Sequence, residues 1–548
     1  MKILTSAEMV ATDRRTASEF GVPLEALMEQ AGAAVAKFCL RQYPRVQRIV
    51  IFCGKGNNGG DGMVAARALA RAGKAVRVVL LGRVAEIKGA ASQALAQLEI
   101  IGSHAWSAQA GAGIADGSLG SVSLVETSDE AELANALDDA ELVIDAVVGT
   151  GFKPPLRGLA VAVRKMLEAS SVPLIAVDLP SGWDADSMAM KADGAFRADA
   201  VVTFTAPKPA HVFGRLTCST FGPVVVAGIG SPDGAVLSTT RLSWSGASKQ
   251  IAETPRAVDA NKGRFGHVLV VGGSYGKAGA PAMTSLAALR TGAGLVTAAV
   301  PTGVLDTVAR ITPELMTLPL AEGAMGSVSF KQLYGGKLDA LLKRITVVAL
   351  GPGLSTEGDA PAFARQMVEK TTQPIVVDAD ALNAFAGKTH LLDGLRRTLV
   401  LTPHPGEMAR LSGLTVAEVE ADRLGLARSF ATKHHLTLVL KGWRTLVAHP
   451  DGRVAVNTSG NPAMAKGGSG DVLTGIVAAM MAQYPDDVAR AVESAVYLHG
   501  LAGDFAAHVM DEHTVLATDT IRYLSDAFRY RVADEDGLTW ICGLRMRY

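Results

Sequence analysis

The fold of the first half is decided by residues 48–62, which read RIVIFCGKGNNGGDG. The apolar run at 48–53 predicts a buried strand, a glycine-rich turn follows it directly, and a helical stretch begins at about Met63. Glycines let the backbone turn tightly, and the N-terminus of a helix presents free N–H groups to an anion. The turn matches neither the GxGxxG fingerprint nor the P-loop. It therefore predicts a strand–turn–helix unit that binds a ligand through a different pattern.

The same alternation of apolar strands and helices continues along the chain and recurs in the second half. In the first half the further strand-like runs are residues 76–81, 142–148 and 173–178. In the second half the strand-like runs are residues 267–271, 346–350, 375–378, 398–401 and 437–440. Continuous apolar strands separated by helices are typical of a parallel sheet that is covered on both faces. The sequence therefore predicts an α/β fold with two domains.

The domain boundaries are predicted from composition. Residues 228–257 are rich in glycine, proline, serine and threonine, which is typical of a linker. We therefore expect one domain at 1–227 and a second at 258–530. Residues 531–548 contain arginine and tryptophan without a clear period and are interpreted as a tail of unknown role.

Composition excludes several classes of protein. The chain has 548 residues, of which 49% are hydrophobic and 19% are charged, and this is too apolar for a disordered chain. Lys and Arg number 53 and Asp and Glu number 53, so no general electrostatic footprint for nucleic acid is present. The four cysteines show no metal-ligand spacing or disulfide density, which fits a reducing compartment. Without a signal peptide or a long apolar run, the sequence predicts a cytoplasmic protein with neither membrane nor nucleic acid as partner.

Polar side chains in the first half follow the ends of the predicted strands. Asn58 and Asp61 lie in the glycine-rich turn, while Asp145 and Asp178 each end a strand. The carboxyl ends of parallel strands meet at one edge of a sheet, where ligands bind, and a carboxylate there can act as a general base. Asp145, Asn58 and Ser181 offer hard oxygens that suit a cation. The alternative is that these residues only form turns and helix caps.

Four short motifs of the first half resemble the NAD(P)H-hydrate epimerase family, over about residues 1–227. They are LMEQAG at 27–32, NNGGDG at 57–62, GTG at 149–151 and DLPSG at 178–182. The resemblance implies a Rossmann-like, three-layer αβα fold that interconverts the R and S forms of hydrated NADH and NADPH (NADHX and NADPHX). It implies hydrate contacts from Asn57, Asn58, Gly59, Gly60, Asp61, Gly149, Thr150, Gly151, Phe152, Lys153, Pro154, Pro155 and Asp178. It also implies a potassium ion (K⁺) held by Asn58, Asp145 and Ser181, with Asp178 as the candidate acid or base.

The second half contains a glycine-rich loop that opens an apolar helix at residues 467–475. The N–H groups at such a helix start form an anion hole, and Asp471 can take a proton from a hydroxyl that attacks a phosphate. Residues 441–445 follow a predicted strand and are candidates for holding nucleotide phosphates. His404 lies between two prolines and is rigidly placed. A helix cap, a strand-end turn and a surface loop are the simpler alternatives for these three features.

Residues 258–528 resemble the ADP- or ATP-dependent NAD(P)H-hydrate dehydratase family. The motifs are NKG at 261–263, GGS at 272–274, GPG at 351–353, TPHPGE at 402–407 and GSGD at 468–471. The resemblance implies a ribokinase-like αβα fold, with contacts to the S hydrate from Ala280, Gly353, His404 and Asp471. It implies nucleotide contacts from Lys441, Gly442, Trp443, Arg444, Thr445 and Gly470, with Mg²⁺ beside the nucleotide. It favours ADP as the phosphoryl donor, giving AMP and phosphate, with Asp471 activating the C6 hydroxyl of the hydrate.

Together the two resemblances imply one chain that repairs damaged nicotinamide cofactors, as a homo-oligomer of four or more subunits. Three alternatives stay open from the residues alone. In the first, the second half is a small-molecule kinase of the ribokinase class. In the second, the first half is only a binding or assembly module. In the third, the whole chain senses nucleotides without turnover.

Overall fold

The computed structural model describes residues 1–99, 120–334 and 336–545. The chain divides into two compact units. The N-terminal unit comprises Lys2–Thr240 together with Arg531–Tyr548, and the C-terminal unit comprises Met1 together with Arg241–Tyr530. Each unit is built on one parallel-rich sheet, so the predicted two-domain α/β class is confirmed.

The N-terminal unit alternates helices and strands as its sequence predicts. Its first six helices are α1 (Ser6–Phe20), α2 (Leu24–Gln42), α3 (Asn57–Arg71), α4 (Ala90–Glu99), α5 (Leu159–Glu168) and α6 (Pro209–Phe213). Its first seven strands are β1 (Arg48–Cys53), β2 (Ala75–Leu81), β3 (Ser121–Thr127), β4 (Leu142–Ala146), β5 (Leu174–Val177), β6 (Ala200–Phe204) and β7 (Val224–Ala227).

Strand β1 lies at the centre of this sheet and is buried on both faces. Ile49, Ile51 and Cys53 pack into one hydrophobic cluster with α2 and α3. Val50 and Phe52 point to the opposite face and pack into a second cluster with α5. This period of two places successive side chains in different layers, and the result is a three-layer αβα sandwich.

The C-terminal unit has twelve helices and ten strands in the described part of the chain. The helices are α7 (Gly279–Thr291), α8 (Thr302–Ala309), α9 (Lys337–Leu342), α10 (Ala360–Lys370), α11 (Asp380–Asn383), α12 (Pro405–Ser412), α13 (Val416–Ala421), α14 (Arg423–Lys433), α15 (Ser469–Gln483), α16 (Val488–Val509), α17 (Ala517–Arg522) and α18 (Leu524–Arg529). The strands are β8 (Leu242–Trp244), β9 (His267–Val271), β10 (Leu295–Pro301), β11 (Met316–Leu320), β12 (Val347–Leu350), β13 (Ile375–Val377), β14 (Leu399–Leu401), β15 (Thr437–Leu440), β16 (Leu446–Ala448) and β17 (Val454–Val456).

In each sheet the strand order reverses at one point, and a ligand site is expected at that point. The first sheet runs β7-β6-β5-β4-β1-β2-β3, so the reversal lies between β4 and β1. The second runs β11-β10-β9-β12-β13-β14-β15-β16-β17-β8, so its reversal lies between β9 and β12. In open α/β sheets, ligands bind in the crevice beyond the carboxyl ends of the strands at such reversals.

The boundaries predicted for the linker and the tail differ from those in the structure. The predicted linker at 228–257 is divided between the units and contains strand β8. The predicted tail at 531–548 contains β18 (Leu538–Cys542), which pairs antiparallel with β7 at the edge of the N-terminal sheet. Residues 546–548 of that prediction lie outside the described residues. Propensity alone does not reveal β18, because its partner strand lies about three hundred residues earlier in the sequence.

Within the described ranges, no helix has the length and apolar character needed to cross a membrane.

Candidate active sites in the two units

A cavity of about 830 Å³, here called the N-terminal cavity, opens where β1 and β4 end. The residues expected to contact the hydrate that line it are Asn57, Asn58, Asp61, Gly149, Thr150, Gly151, Phe152 and Asp178. Helix α3 begins at the cavity with Gly56 as its N-cap, and no side chain caps it. Its first N–H groups are therefore available to an anionic ligand.

The other expected contact residues do not line this cavity. Gly59 and Gly60 are buried, and a Cβ at Gly59 would come within 1.9 Å of the Gly54 carbonyl oxygen. Gly59 therefore allows helix α3 to start close to the preceding turn, and Gly60 allows α3 to approach helix α2, because a Cβ at Gly60 would come within 2.7 Å of Met28 Sδ. Lys153, Pro154 and Pro155 also lie outside the cavity lining. The Lys153 ammonium instead pairs with Asp184 at 2.7 Å and Asp186 at 3.1 Å.

The Asp178 carboxylate is held by donors on both of its oxygens. Oδ2 accepts hydrogen bonds from the backbone N–H of Thr150 at 2.7 Å and from the Thr150 hydroxyl. Oδ1 accepts from the Lys208 ammonium at 2.9 Å and from the Thr203 hydroxyl at 2.8 Å. The residue adopts a φ of 65°, a region that side-chain-bearing residues seldom occupy and that is concentrated at functional sites.

These donors determine the charge of Asp178. Burial alone would raise its pKa, but the buried Lys208 ammonium and the hydrogen bonds hold the pKa of Asp178 well below its usual range. His211 donates from Nε2 to the Asp178 carbonyl oxygen at 2.7 Å and accepts at Nδ1 from the Lys208 N–H. Burial lowers the pKa of His211 to about 4, so its ring is neutral at physiological pH. Asp178 is therefore a permanent anion in the cavity wall.

Of the three residues expected to hold a cation, Asp145 and Ser181 contact each other, and the Asn58 amide lies beside Gly149. The fully buried Asp145 accepts at Oδ1 from the Ser181 hydroxyl at 2.6 Å and at Oδ2 from the Ser181 N–H at 2.7 Å. Burial raises the pKa of Asp145 to about 6, and no ion pair of this carboxylate is found among the described residues. The Asn58 side chain lies at the edge of Gly149, and its buried Nδ2 has no hydrogen-bond partner in the described structure.

Sequence reasoning missed two charged residues of this site, Asp13 and Lys208. Both line the N-terminal cavity, Asp13 from helix α1 and Lys208 from the residue that precedes α6. Neither lies in a glycine-rich turn or at the end of a predicted strand, so no local motif marks them. Only the tertiary structure brings them to Asp178.

A second cavity of about 650 Å³, here called the C-terminal cavity, lies beyond the ends of β13, β14 and β15. The expected residues His404, Lys441, Gly442, Trp443, Arg444, Thr445, Gly470 and Asp471 all line it. Helix α15 begins at this cavity with the left-handed Gly468 as its N-cap, so its first N–H groups are available to phosphate.

Ala280 and Gly353 lie together at the reversal between β9 and β12 and do not line the C-terminal cavity. A Cβ at Gly353 would come within 3.1 Å of the Ala280 Cβ and 2.7 Å of the Lys277 carbonyl oxygen. Asp471 links this crevice to the cavity, because its carbonyl oxygen accepts from Thr284, one turn after Ala280. Of the four residues expected to contact the S hydrate, His404 and Asp471 therefore line the C-terminal cavity, and Ala280 and Gly353 do not.

Asp471 lies in an environment that favours its protonated form. Burial, and next the negative charge of Asp378, raise the pKa of Asp471 to about 7, while Lys441 opposes them. The Lys441 ammonium is 2.9 Å from Asp378 Oδ1, and the Thr474 hydroxyl donates to Asp378 Oδ2 at 2.7 Å. A group with a pKa near neutrality can both accept and release a proton, which suits general acid–base chemistry. Asp378 is therefore a further residue of this site. From the sequence it was predicted only as the end of a strand, and its ion pair with Lys441 was not predicted.

Residues 442–444 form one wall of the C-terminal cavity and are held rigidly. Arg423 donates to the carbonyl oxygens of Trp443, Leu440 and Lys441. The Arg444 guanidinium lies over the Trp443 ring, 4.4 Å from its centroid. Trp443 is 42% exposed, and an aromatic ring in the wall of a cavity is suited to stacking with a flat ligand such as a nucleotide base.

Comparison with known proteins identifies the family. The chain is 41% identical over 539 residues to the bifunctional NAD(P)H-hydrate repair enzyme Nnr of Moorella thermoacetica, covering 96% of this chain and 97% of that protein. The chain belongs to the bifunctional NAD(P)H-hydrate repair enzyme family. Family members of the same name from Thermofilum pendens and Escherichia coli are 35% and 32% identical, and the alignments cover 96% of this chain and 96% and 93% of those proteins.

The two parts of this repair enzyme family match separately along the chain. The family model described as NAD(P)H-hydrate dehydratase matches residues 268–526. The model described as YjeF-related protein N-terminus matches residues 24–210. The chain is also similar to the ADP/ATP-dependent NAD(P)H-hydrate dehydratase from Bacillus subtilis, which was co-crystallised with ATP and Mg²⁺. That similarity has 29% identity and a TM-score of 0.47 and covers 53% of this chain and 99% of that protein.

Proposed function

We propose that the N-terminal unit interconverts the R and S forms of NADHX and NADPHX, and that the C-terminal unit converts the S form to NADH or NADPH at the expense of ADP. The observation that carries this proposal is that one chain, related along its length to bifunctional repair enzymes, holds two separate cavities. Each cavity has a carboxylate with a strongly shifted pKa beside a helix N-terminus. Such pairs are typical of catalytic sites on anionic substrates.

In the C-terminal cavity, Asp471 takes the proton of the C6 hydroxyl of the S hydrate. The hydroxyl oxygen attacks the terminal phosphorus of ADP, and AMP leaves with the electron pair of the broken P–O bond. Phosphate then departs from C6, a proton leaves C5, and the ring double bond is restored. The Lys441 ammonium and the N–H groups around Gly470 lie where they can stabilise the transferred phosphoryl group.

Magnesium would accompany the nucleotide in this cavity. Within the ranges that the structure describes, no group of three or more His, Cys, Asp or Glu side chains is arranged to hold a metal ion. Mg²⁺ commonly binds through one or two carboxylates together with substrate phosphates. The ion would therefore be held here mainly by the nucleotide phosphates and by water, and it would neutralise phosphate charge.

The donor is tested by mixing the purified full chain with the S hydrate, Mg²⁺ and either ADP or ATP. The reduced nicotinamide and the nucleotide products are then quantified by chromatography. Equal amounts of AMP, phosphate and NADH with ADP support the proposal. A stable phosphorylated product without NADH would instead indicate the small-molecule kinase, and no turnover with either nucleotide would indicate a sensor.

Because Asp378 is a negatively charged neighbour of Asp471, removing its charge should shift the pH profile of dehydration. In the wild-type chain, kcat/KM rises with pH through about 7 as Asp471 loses its proton. Asp378→Asn removes the negative neighbour and frees the Lys441 ammonium, and both changes favour ionised Asp471. We expect the rising limb to move to lower pH by about one unit, equivalent to ~1.4 kcal/mol. The exposed Asp486→Asn is the matched control, and an unmoved limb in Asp378→Asn would contradict the assignment of the limb to Asp471.

The residues present fit the potassium ion expected in the N-terminal unit. Asp145 is a buried carboxylate without an ion-pair partner in the described structure, and the Asn58 side-chain oxygen lies beside Gly149. Carbonyl, hydroxyl and carboxylate oxygens suit a hard cation. Asn58, Asp145 and Ser181 would hold the ion, which would neutralise the buried charge and order the loops of the cavity.

Potassium is therefore expected to stabilise the N-terminal unit. Replacing choline chloride by potassium chloride at equal ionic strength should raise the unfolding free energy by ~2.7 kcal/mol when the ion is present at about 100 times its Kd. The measurement is thermal unfolding of the full chain. Asp145→Asn should abolish the increment. Identical melting curves of the wild-type chain in the two salts would contradict the site.

Family membership favours repair over the assembly-module alternative for the N-terminal unit, and the retained Asp178 with its four donors supports activity there. The homo-oligomer of four or more subunits and the cytoplasmic location stay predictions. Light scattering of the purified chain tests the first, and fractionation of the source cells tests the second.

A further inference from the structure

The N-terminal cavity needs a group that can exchange a proton, and Asp178 is poorly suited to this. Its two oxygens already accept four hydrogen bonds, one of them from an ammonium group. A carboxylate whose charge is so well stabilised is a weak base, and it does not become protonated at neutral pH. The acid or base role expected for Asp178 from the sequence therefore requires another candidate.

Asp13 has a carboxyl oxygen that is free to exchange a proton with a ligand, which Asp178 lacks. Asp13 lies at the middle of helix α1 and lines the N-terminal cavity. Its Oδ1 atom is buried and has no hydrogen-bond partner among the described residues. A buried, unpartnered carboxyl oxygen at a cavity wall is costly to the fold unless a ligand satisfies it.

The charged groups that face Asp13 come from three other elements. They are Asp61 on α3, Asp178 at the end of β5 and Lys208 before α6. Burial, opposed by Lys208 and assisted by Asp178, raises the pKa of Asp13 to about 6. Burial, followed by the charges of Asp178 and Asp13, also raises the pKa of Asp61. One cavity thus holds a carboxylate that stays ionised and carboxyl groups that stay protonatable.

We propose that Asp13 is the proton-transferring residue of epimerisation and that Asp178 is the fixed anion that stabilises the charged intermediate. This inference rests on the epimerase function proposed above. Other enzymes also use two carboxyl groups in different environments. One stays protonated and acts as the acid, and the other stays ionised and stabilises charge.

The step is balanced in atoms and electrons. Asp13 donates its proton to the C6 hydroxyl oxygen, the C6–O bond breaks, and its electron pair leaves with the water that forms. The lone pair of the ring nitrogen becomes a C=N bond, and Asp178 stabilises the resulting positive ring. Water then adds to the opposite face of C6, the C=N pair returns to nitrogen, and the proton released by that water returns to Asp13.

The test measures the conversion of the R hydrate to the S hydrate by the full chain, without nucleotide and after subtraction of the spontaneous rate. The wild-type rate should fall as pH rises above about 6, because protonated Asp13 starts the reaction. Asp13→Asn should lower kcat by about 10²–10⁴-fold and remove this pH dependence. Asp13→Glu should restore part of the rate together with a falling limb.

Asp178→Asn should also lower the rate, but its remaining activity should keep a falling limb, moved to lower pH by the loss of the neighbouring negative charge. The exposed Glu19→Gln on the same helix is the matched control and should behave as the wild-type chain. Nucleotide-dependent dehydration of pure S hydrate by the same preparations verifies the amount of intact C-terminal unit, and a wild-type melting curve verifies that the N-terminal unit of each variant is folded.

An Asp13→Asn chain that epimerises at the wild-type rate, or with the wild-type pH profile, would overturn the proposal. So would Asp13→Glu and Asp13→Asn variants that are equally inactive while Asp178→Asn retains the full rate. A wild-type chain that fails to accelerate epimerisation would instead refute the proposed function of the N-terminal unit, so the two failures are distinguishable.

Discussion

Asp471→Asn is expected to lower the nucleotide-dependent conversion of the S hydrate to NADH by about 10²–10⁴-fold, the usual contribution of a positioned general base. Asp471 lies at the start of α15, lines the C-terminal cavity and has a pKa raised to about 7. An amide at this position keeps the shape of the side chain but accepts no proton. The hydroxyl of the hydrate would therefore attack phosphorus without a base.

The measurement is the initial rate of absorbance recovery with pure S hydrate, ADP and Mg²⁺. Asp486→Asn replaces an exposed carboxylate near the other end of the same helix and should retain the wild-type rate. Epimerisation by the N-terminal unit should be unchanged in both variants, and a wild-type melting curve verifies that the C-terminal unit is folded. An Asp471→Asn rate within about threefold of wild type would rule out general-base catalysis by this residue.

Trp540→Ala is expected to destabilise the N-terminal unit by about 3–5 kcal/mol, the usual cost of truncating a buried aromatic side chain. Trp540 belongs to strand β18, is 2% exposed, and packs its ring 6.3 Å from that of Phe38 on helix α2. Its indole N–H also donates to Asp534 at 3.1 Å. Because a domain is stable by only about 5–15 kcal/mol in total, this loss is large.

Urea unfolding of the full chain measures the effect, with epimerisation at increasing urea as the readout for the N-terminal unit. Thr539→Ala, on the same strand but only partly buried, should change stability by less than about 0.5–1 kcal/mol. The dehydratase activity should persist at urea concentrations that abolish epimerisation in Trp540→Ala. Loss of both activities at the wild-type urea concentration would show that β18 contributes nothing specific to this unit.

The sequence predicted the parts of the molecule that depend on local signals. The strand at 48–53 and the helix that follows it were predicted from residue order, because a buried strand has a characteristic composition. The helix was expected to begin at about Met63, but α3 begins at Asn57, so residues 57–62 of the glycine-rich segment are helical. The meeting of Asn58, Gly149 and Asp178 at one sheet edge was also predictable, because parallel strands share the direction of their carboxyl ends. The same reasoning placed Asp471 at the start of α15.

The features that the sequence did not predict depend on distant contacts. Lys208 lies 30 residues after Asp178, and no spacing rule joins them, yet this pair determines the charge of the site. Asp13 is one polar residue on an amphipathic helix and is indistinguishable there from a surface carboxylate. Strand β18 is stabilised by β7, whose residues lie in the other half of the sequence. In each case the tertiary structure outweighs local preference.

The central claim, two complementary activities in one chain, is tested most directly with a mixture of R and S NADHX. The purified wild-type chain is given excess ADP, Mg²⁺ and K⁺, and the absorbance of the reduced nicotinamide is followed to completion. We predict rapid recovery of the whole mixture, whereas recovery by Asp13→Asn or Asp178→Asn chains should be rapid only for the S fraction and slow thereafter, because epimerisation then limits the rate. Recovery that stops at the S fraction with the wild-type chain, or no recovery at all, would contradict the account.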